Sequence, residues 1–154
     1  MNIKYSYTVT TNVLGADGLQ NHAVMGKALE FQLPYPVSVN QYYMNSRGGR
    51  KFLSKRGREF QKAVRSTLNR TTPFFPDERL GMIVTVHPPS RRTMDIDNLW
   101  KSLLDSMEGQ IFASDSQLDD ERIIRGAIKP KDGLTDIFIW TLDGYREISR
   151  LHRY

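Results

Sequence analysis

The chain has 154 residues, 39% of them hydrophobic and 25% charged, with a net charge of +5 and no cysteine. That length and balance predict one soluble globular domain with a real core. They exclude disulfides, zinc–thiolate sites and thiol catalysis. No run approaches the ~20 apolar residues of a membrane helix, and the N-terminus lacks the pattern of a signal peptide, so a cytoplasmic protein is expected. The charge is concentrated. Residues 45–70 hold nine Lys or Arg against the single Glu59, whereas residues 71–154 hold eleven basic and fourteen acidic groups. A basic run can be merely a solvated face, but a polyanionic partner also explains the interleaved Tyr42, Tyr43, Phe52 and Phe60.

In chain order, residues 3–11 alternate as a strand and lead into a loop rich in Gly, Asn and Asp through Met25. Residues 28–33 read as a strand stopped by Pro34 and Pro36. Gly48 and Gly49 predict a turn between Tyr42–Asn45 and Lys51–Leu53. A helix follows, with Ser54 as N-cap and Phe60, Ala63, Val64, Thr67 and Leu68 on its inner face. Its outer face carries Lys55, Arg58, Lys62 and Arg65. Residues 71–78 are a proline-punctuated connection, and residues 80–87 form a strand stopped by Pro88 and Pro89.

The second helix is expected over Ile96–Met107, where Ile96, Leu99, Trp100, Leu103, Leu104 and Met107 form one stripe of a 3.6-residue period. Residues 122–129 and 135–142 read as strands joined by a Pro130–Gly133 turn. The tail from Asp143 is polar, a short helix or a loose end. Strands and helices mix without regular alternation, which predicts an α+β fold: one compact domain, a mixed β-sheet packed against two main helices.

Chemistry concentrates between Pro88 and Lys101. Asp95 and Asp97 open the second helix, flanking its buried stripe at Ile96. Acids are favoured at helix N-termini on electrostatic grounds alone, which accounts for one carboxylate more comfortably than for two behind Arg91 and Arg92. Neighbouring carboxylates repel unless a cation neutralises them, and Mg²⁺ takes hard oxygens from one or two carboxylates plus water and phosphate. Asp97, Lys101 and Glu108 share a flank of the helix. Lys101 is placed either to pair with Asp97 one turn back or to face a scissile phosphate. A third acid is expected from the turn Ser114-Asp115-Ser-Gln117, with Asp119 and Asp120 as competitors. His22, His87 and His152 have no metal-like spacing.

Four segments, in this order, carry a resemblance: Leu33-Pro-Tyr-Pro-Val-Ser-Val-Asn40-Gln-Tyr-Tyr43, Ser54-Lys-Arg-Gly-Arg-Glu-Phe60, Arg91-Arg92-Thr-Met-Asp95-Ile-Asp97-Asn98-Leu-Trp-Lys101, and Asp115-Ser-Gln117. Across roughly residues 29–142 the chain resembles the RusA family of Holliday junction resolvases. The resemblance implies a RusA-like nuclease domain over 29–142, an N-terminal extension over 1–28 and a polar tail over 143–154. It implies a bacterial or phage-encoded homodimer that nicks four-way DNA junctions symmetrically, in recombination and repair, with Mg²⁺ (Mn²⁺ able to substitute) and no small-molecule cofactor. The family's metal-binding aspartates correspond to Asp95, Asp97 and Asp115, and its active-site lysine to Lys101. Lys51, Lys55, Arg56 and Arg58 are candidate DNA-backbone contacts, Arg91 and Arg92 lie nearer the cleavage site, and Asn40 matches a loop residue able to reach metal or phosphate. Where many members carry a second acid before the one matched by Asp115, this chain has Ser114. The stretch 118–123 is longer than the pattern, which keeps Asp119 and Asp120 in play as the third ligand. Two rivals remain: a non-catalytic architectural DNA binder, and a nuclease of flaps or other branches in phage DNA processing.

Overall fold

A computed structural model describes residues 4–15, 18–68, 72–92 and 94–142, with side chains from Lys27 onward. Among these residues seven strands run β1 Lys4–Gly15, β2 Gly18–Leu33, β3 Tyr43–Asn45, β4 Lys51–Leu53, β5 Leu80–His87, β6 Leu118–Arg125 and β7 Leu134–Thr141. Three helices among the described residues, α1 Val39–Tyr42, α2 Lys55–Thr67 and α3 Ile96–Met107, accompany them in the expected α+β architecture. The main sheet is mixed, in the order β1-β2-β7-β5-β6, with β5 and β6 parallel and the other neighbours antiparallel. The parallel pair needs a crossover, and α3 supplies it. No helix among the described residues is long and apolar enough to cross a membrane.

The helices pack on one face of the sheet. Alternate residues of β7, Thr135, Ile137, Ile139 and Thr141, are buried there, beside Met82, Val84 and Val86 of β5. The expected stripe of α3 meets this face: Leu99, Leu103, Leu104 and Met107 are buried, with Ile96 and Trp100 packed at the margin. From α2 come Phe60, Val64 and Leu68, as expected, while Ala63 and Thr67 are only half-buried.

Two expected boundaries move. The described residues of the expected loop, 12–15 and 18–25, are instead ladder, paired from Asn12↔Asn21 and Val13↔Gln20 to Thr8↔Met25. Its Asn and Gly residues weigh toward turns, but Thr10, Thr11, Val13 and Val24 favour extended backbone, and pairing prevails. The strand expected over 122–129 lies four residues earlier, at Leu118–Arg125. It is an edge strand whose residues are mostly exposed, so its hydrophobic pattern carries little register information. The expectations for Asp143 onward lie outside the described residues.

α1, absent from the sequence reading, leads into the short sheet and packs against the start of α2. Ser54 caps α2 as expected, its Oγ accepting from Gly57 N at 2.9 Å and donating to Gln41 O at 2.5 Å. Ser54 N donates to Tyr42 O at 2.9 Å. Gly57 sits so close to α1 that a Cβ would lie 2.3 Å from Tyr42 O and 3.1 Å from Tyr42 C, both backbone atoms. Gly57→Ala should therefore destabilise the fold by about 1–3 kcal/mol through overpacking, although alanine is the better helix former. For a chain of this size each kcal/mol lowers Tm by roughly 2–4 °C. A thermal melt with an unchanged or raised midpoint would show that α1 and α2 are not in such close contact.

Candidate active site

Asp95 and Asp97 sit where the chain leaves β5 and enters α3. The approach is anchored from β6, where Arg125 donates to Met94 O at 2.6 Å. Asp95 occupies the N-cap position, yet its side chain makes no capping bond; among the described residues its carboxylate accepts only a long contact from Asn98 Nδ2 at 3.4 Å. A purely structural aspartate at a helix start would normally accept from a backbone N–H of the first turn. Asp97, in that first turn, is exposed and forms no hydrogen bond or ion pair among the described residues. Both carboxylates are exposed, and among the described residues neither pairs with a cation.

Asp115 comes from the other end of α3. After Gly109, whose φ of +72° reverses the chain, Ile111 and Phe112 bury themselves in the core. The single 3₁₀ turn Asp115–Gln117 follows, closed by a capping box between Ser114 and Gln117. Gln117 uses both ends of its buried amide. Oε1 accepts from Ala113 N at 2.7 Å and Ser114 N at 3.0 Å; Nε2 donates to Phe75 O at 3.0 Å and Glu78 O at 2.9 Å. The Ser-Gln that follows Asp115 is thus what fixes the turn bearing it.

Lys101 joins the pieces. Its Nζ lies 3.1 Å from Asp115 Oδ2 and 3.0 Å from Asp105 Oδ1. The bond it donates to Asp105, then that to Asp115, raises its pKa and keeps it charged. The pairing with Asp97 expected one turn back is not made; Lys101 turns to the acid one turn ahead, where Asp115 supplies a second carboxylate. Asp105 was not singled out from the sequence, although spacings of four, four and three along Asp97, Lys101, Asp105 and Glu108 put it on that flank. Glu121, also missed, lies beside α3 on β6. Partial desolvation raises its pKa and the charge of Asp115 adds to this, while a hydrogen bond with Trp100 opposes it.

The rival acids differ in setting. Asp119 is bound by Arg79, which donates from Nε at 2.6 Å and again from Nη2 to the second carboxylate oxygen, and also reaches Ser116 O at 2.5 Å. Asp120 is exposed on β6. Among the described residues no three acid or histidine side chains converge into a ready-made metal cage. The donor chemistry nonetheless suits Mg²⁺, which binds through one or two carboxylates and keeps waters and phosphate oxygens for the rest. The open Asp95 and Asp97 offer such a pair, with Asp115 held on Lys101 down the helix.

The basic candidates all lie exposed. Lys51 stands 4.3 Å over the Tyr43 ring, and Lys55 is 4.0 Å from Glu59, at the limit of an ion pair. Arg56 donates to Gln41 Oε1 at 2.8 Å and Arg58 to Leu53 O at 2.7 Å, so both also brace the start of α2. Arg91 and Arg92 lie in the loop between β5 and α3, and Asn40 is exposed on α1. Of the interleaved aromatics, Tyr42 is buried, which removes it from contact with a polyanionic partner, and Tyr43 is half-buried. His87 bridges Asp136 and Ala127 O, both at 2.9 Å, a packing role away from these acids.

Comparison with known proteins gives one consistent result. The family model described as Endodeoxyribonuclease RusA matches residues 34–136, which hold all the acids above. The chain is 38% identical to the crossover junction endodeoxyribonuclease rusA of Enterobacteria phage HK97, over 66% of this chain and 85% of that protein. It is 32% identical to the RusA proteins of Escherichia coli K12 and of Enterobacteria phage 82, in each case over 60% of this chain and 78% of the relative.

Proposed function

The chain belongs to the RusA family of endodeoxyribonucleases, and from that premise we propose that it resolves four-way DNA junctions by Mg²⁺-dependent paired nicks. The observation that carries this reading is the pair of open, uncapped carboxylates, Asp95 and Asp97, on a strongly basic protein. An architectural DNA binder gains nothing from them, because carboxylates repel phosphate unless a cation intervenes.

In this reading Asp95, Asp97 and Asp115 hold the ion, with Mn²⁺ able to replace it. A bound divalent ion activates water and neutralises charge building on the phosphate. Lys101 stabilises that charge with an ammonium already in place. Arg91 and Arg92 flank the acids and draw the backbone toward them, while Asn40 stands ready to meet metal or phosphate. Residues 29–142 are the catalytic unit, the described strands Lys4–Gly15 and Gly18–Leu33 extend its sheet, and a C2 dimer presents two sites to a junction of matching symmetry. The functional test compares a mobile four-way junction, a flap and a linear duplex, with and without Mg²⁺. The junction should be cut only with the metal and in preference to the others. Preference for the flap would favour the branch-processing alternative, and binding without cutting would favour the architectural one.

DNA gripping by the hairpin and α2 makes a separate prediction. Junction affinity should fall with salt with a log–log slope of about −0.9 per phosphate neutralised on duplex arms. Lys51→Ala with Lys55→Ala should flatten that slope by roughly 1 to 2 units and weaken junction and duplex alike. A salt titration of both substrates reads this. An unchanged slope would leave this face solvated and place the phosphate contacts elsewhere.

A further inference from the structure

Of the two carboxylates on Lys101, Asp105 is the better buried, its side chain 14% exposed against 37% for Asp115. Asp105 also has a second donor, the Tyr43 hydroxyl at 2.8 Å. Tyr43 opens β3, and Lys51 at the start of β4 sits over its ring. Tyr42 packs edge-on against Tyr43 with ring centroids 4.8 Å apart. One chain of contacts therefore runs from the basic hairpin to the catalytic flank: Lys51, Tyr43, Asp105, Lys101, Asp115.

A lysine–carboxylate pair one helical turn apart does little by itself to order either side chain. The Tyr43 hydroxyl changes that, because it comes from an element 62 residues earlier and fixes which way the Asp105 carboxylate faces. A fixed carboxylate in turn fixes the ammonium it accepts from. Asp115, the more exposed partner, is the one that can turn to another ligand without unseating Lys101.

From this geometry we propose that Tyr43 and Asp105 are positioning residues for Lys101, holding its ammonium at the cleavage site and tying it to the DNA-gripping hairpin. The proposal rests on the nuclease reading above, so its test carries one readout that needs neither DNA nor metal. That readout is the rate of reductive methylation of the Lys101 amine, followed by mass spectrometry with exposed Lys62 as internal control. Breaking the clamp should speed methylation at Lys101 by about threefold in Asp105→Asn and about twofold in Tyr43→Phe, since each weakens the hydrogen bond that holds the amine in place. The second readout is single-turnover cleavage at saturating enzyme. Asp105→Asn should slow it about tenfold and Tyr43→Phe a few-fold, with junction affinity unchanged, as expected of a misplaced catalytic group. In a Lys101→Ala background neither change should slow it further, because residues acting through one group are not additive.

Tyr43→Phe keeps the ring and its packing, so it reports on the hydroxyl even if Asp105→Asn folds poorly. Unchanged methylation rates, or rate losses that persist in full without Lys101, would overturn the proposal and return both residues to simple packing. A wild-type protein that cuts no branched DNA would instead overturn the nuclease reading, and the methylation rates would still decide the clamp.

Discussion

Asp97→Asn is expected to abolish nicking of a four-way junction in Mg²⁺ while binding the junction as tightly as the unaltered protein, or more tightly. Asp97 is exposed and bonded to nothing among the described residues, so its charge can be removed without disturbing packing. The fold loses only the favourable placement of an acid in the first turn of α3, about 0.3–1 kcal/mol. Catalysis loses a hard, charged ligand, and a thousandfold drop in rate corresponds to about 4 kcal/mol. Binding does not suffer, because one less carboxylate faces the phosphates. Asp115→Asn should match it in cleavage. Asp119→Asn should stay active, since that carboxylate is engaged by Arg79 and its loss removes a partly exposed ion pair. Cleavage gels beside gel shifts on one junction separate these outcomes. Substantial nicking by Asp97→Asn would remove it from the metal site. An inactive Asp119→Asn or Asp120→Asn with an active Asp115→Asn would move the third ligand onto β6.

Lys101→Ala should lower the single-turnover rate by about 10²–10³, the usual cost of removing a preorganised donor that meets transition-state charge. Affinity should change far less, because such a contact contributes little to the ground state. The substitution leaves Asp105 and Asp115 without their shared cation, so a thermal melt belongs beside the kinetics. A normal rate in a stable Lys101→Ala protein would reduce Lys101 to a surface tie between α3 and the turn after it.

How much of this was legible from sequence follows the strength of each local signal. α3 is legible because one apolar stripe and two preceding prolines agree. Ser54 and the Gly48–Gly49 turn were legible because capping and reversal depend on residues close in sequence. β6 was misplaced because an exposed edge strand has almost no inner face to announce it, and the β1–β2 ladder because its polar residues resemble a loop. The candidate acids Asp95, Asp97 and Asp115 were readable from motif and resemblance. Asp105 was not, since its defining partner, Tyr43, reaches it only through the tertiary fold. The expected Asp97–Lys101 pair failed for the same reason: helical spacing offers Lys101 an acid on either side, and Asp115 decides between them.

The most direct measurement maps cleavage on a mobile four-way junction labelled in turn at the 5′ end of each of its four strands. Incubation with Mg²⁺ should give nicks at symmetric positions in one pair of opposed strands, yielding ligatable linear duplexes, and no product when the metal is chelated. Products that persist in the chelator, or a junction that is bound and left whole with Mg²⁺ present, would contradict the account.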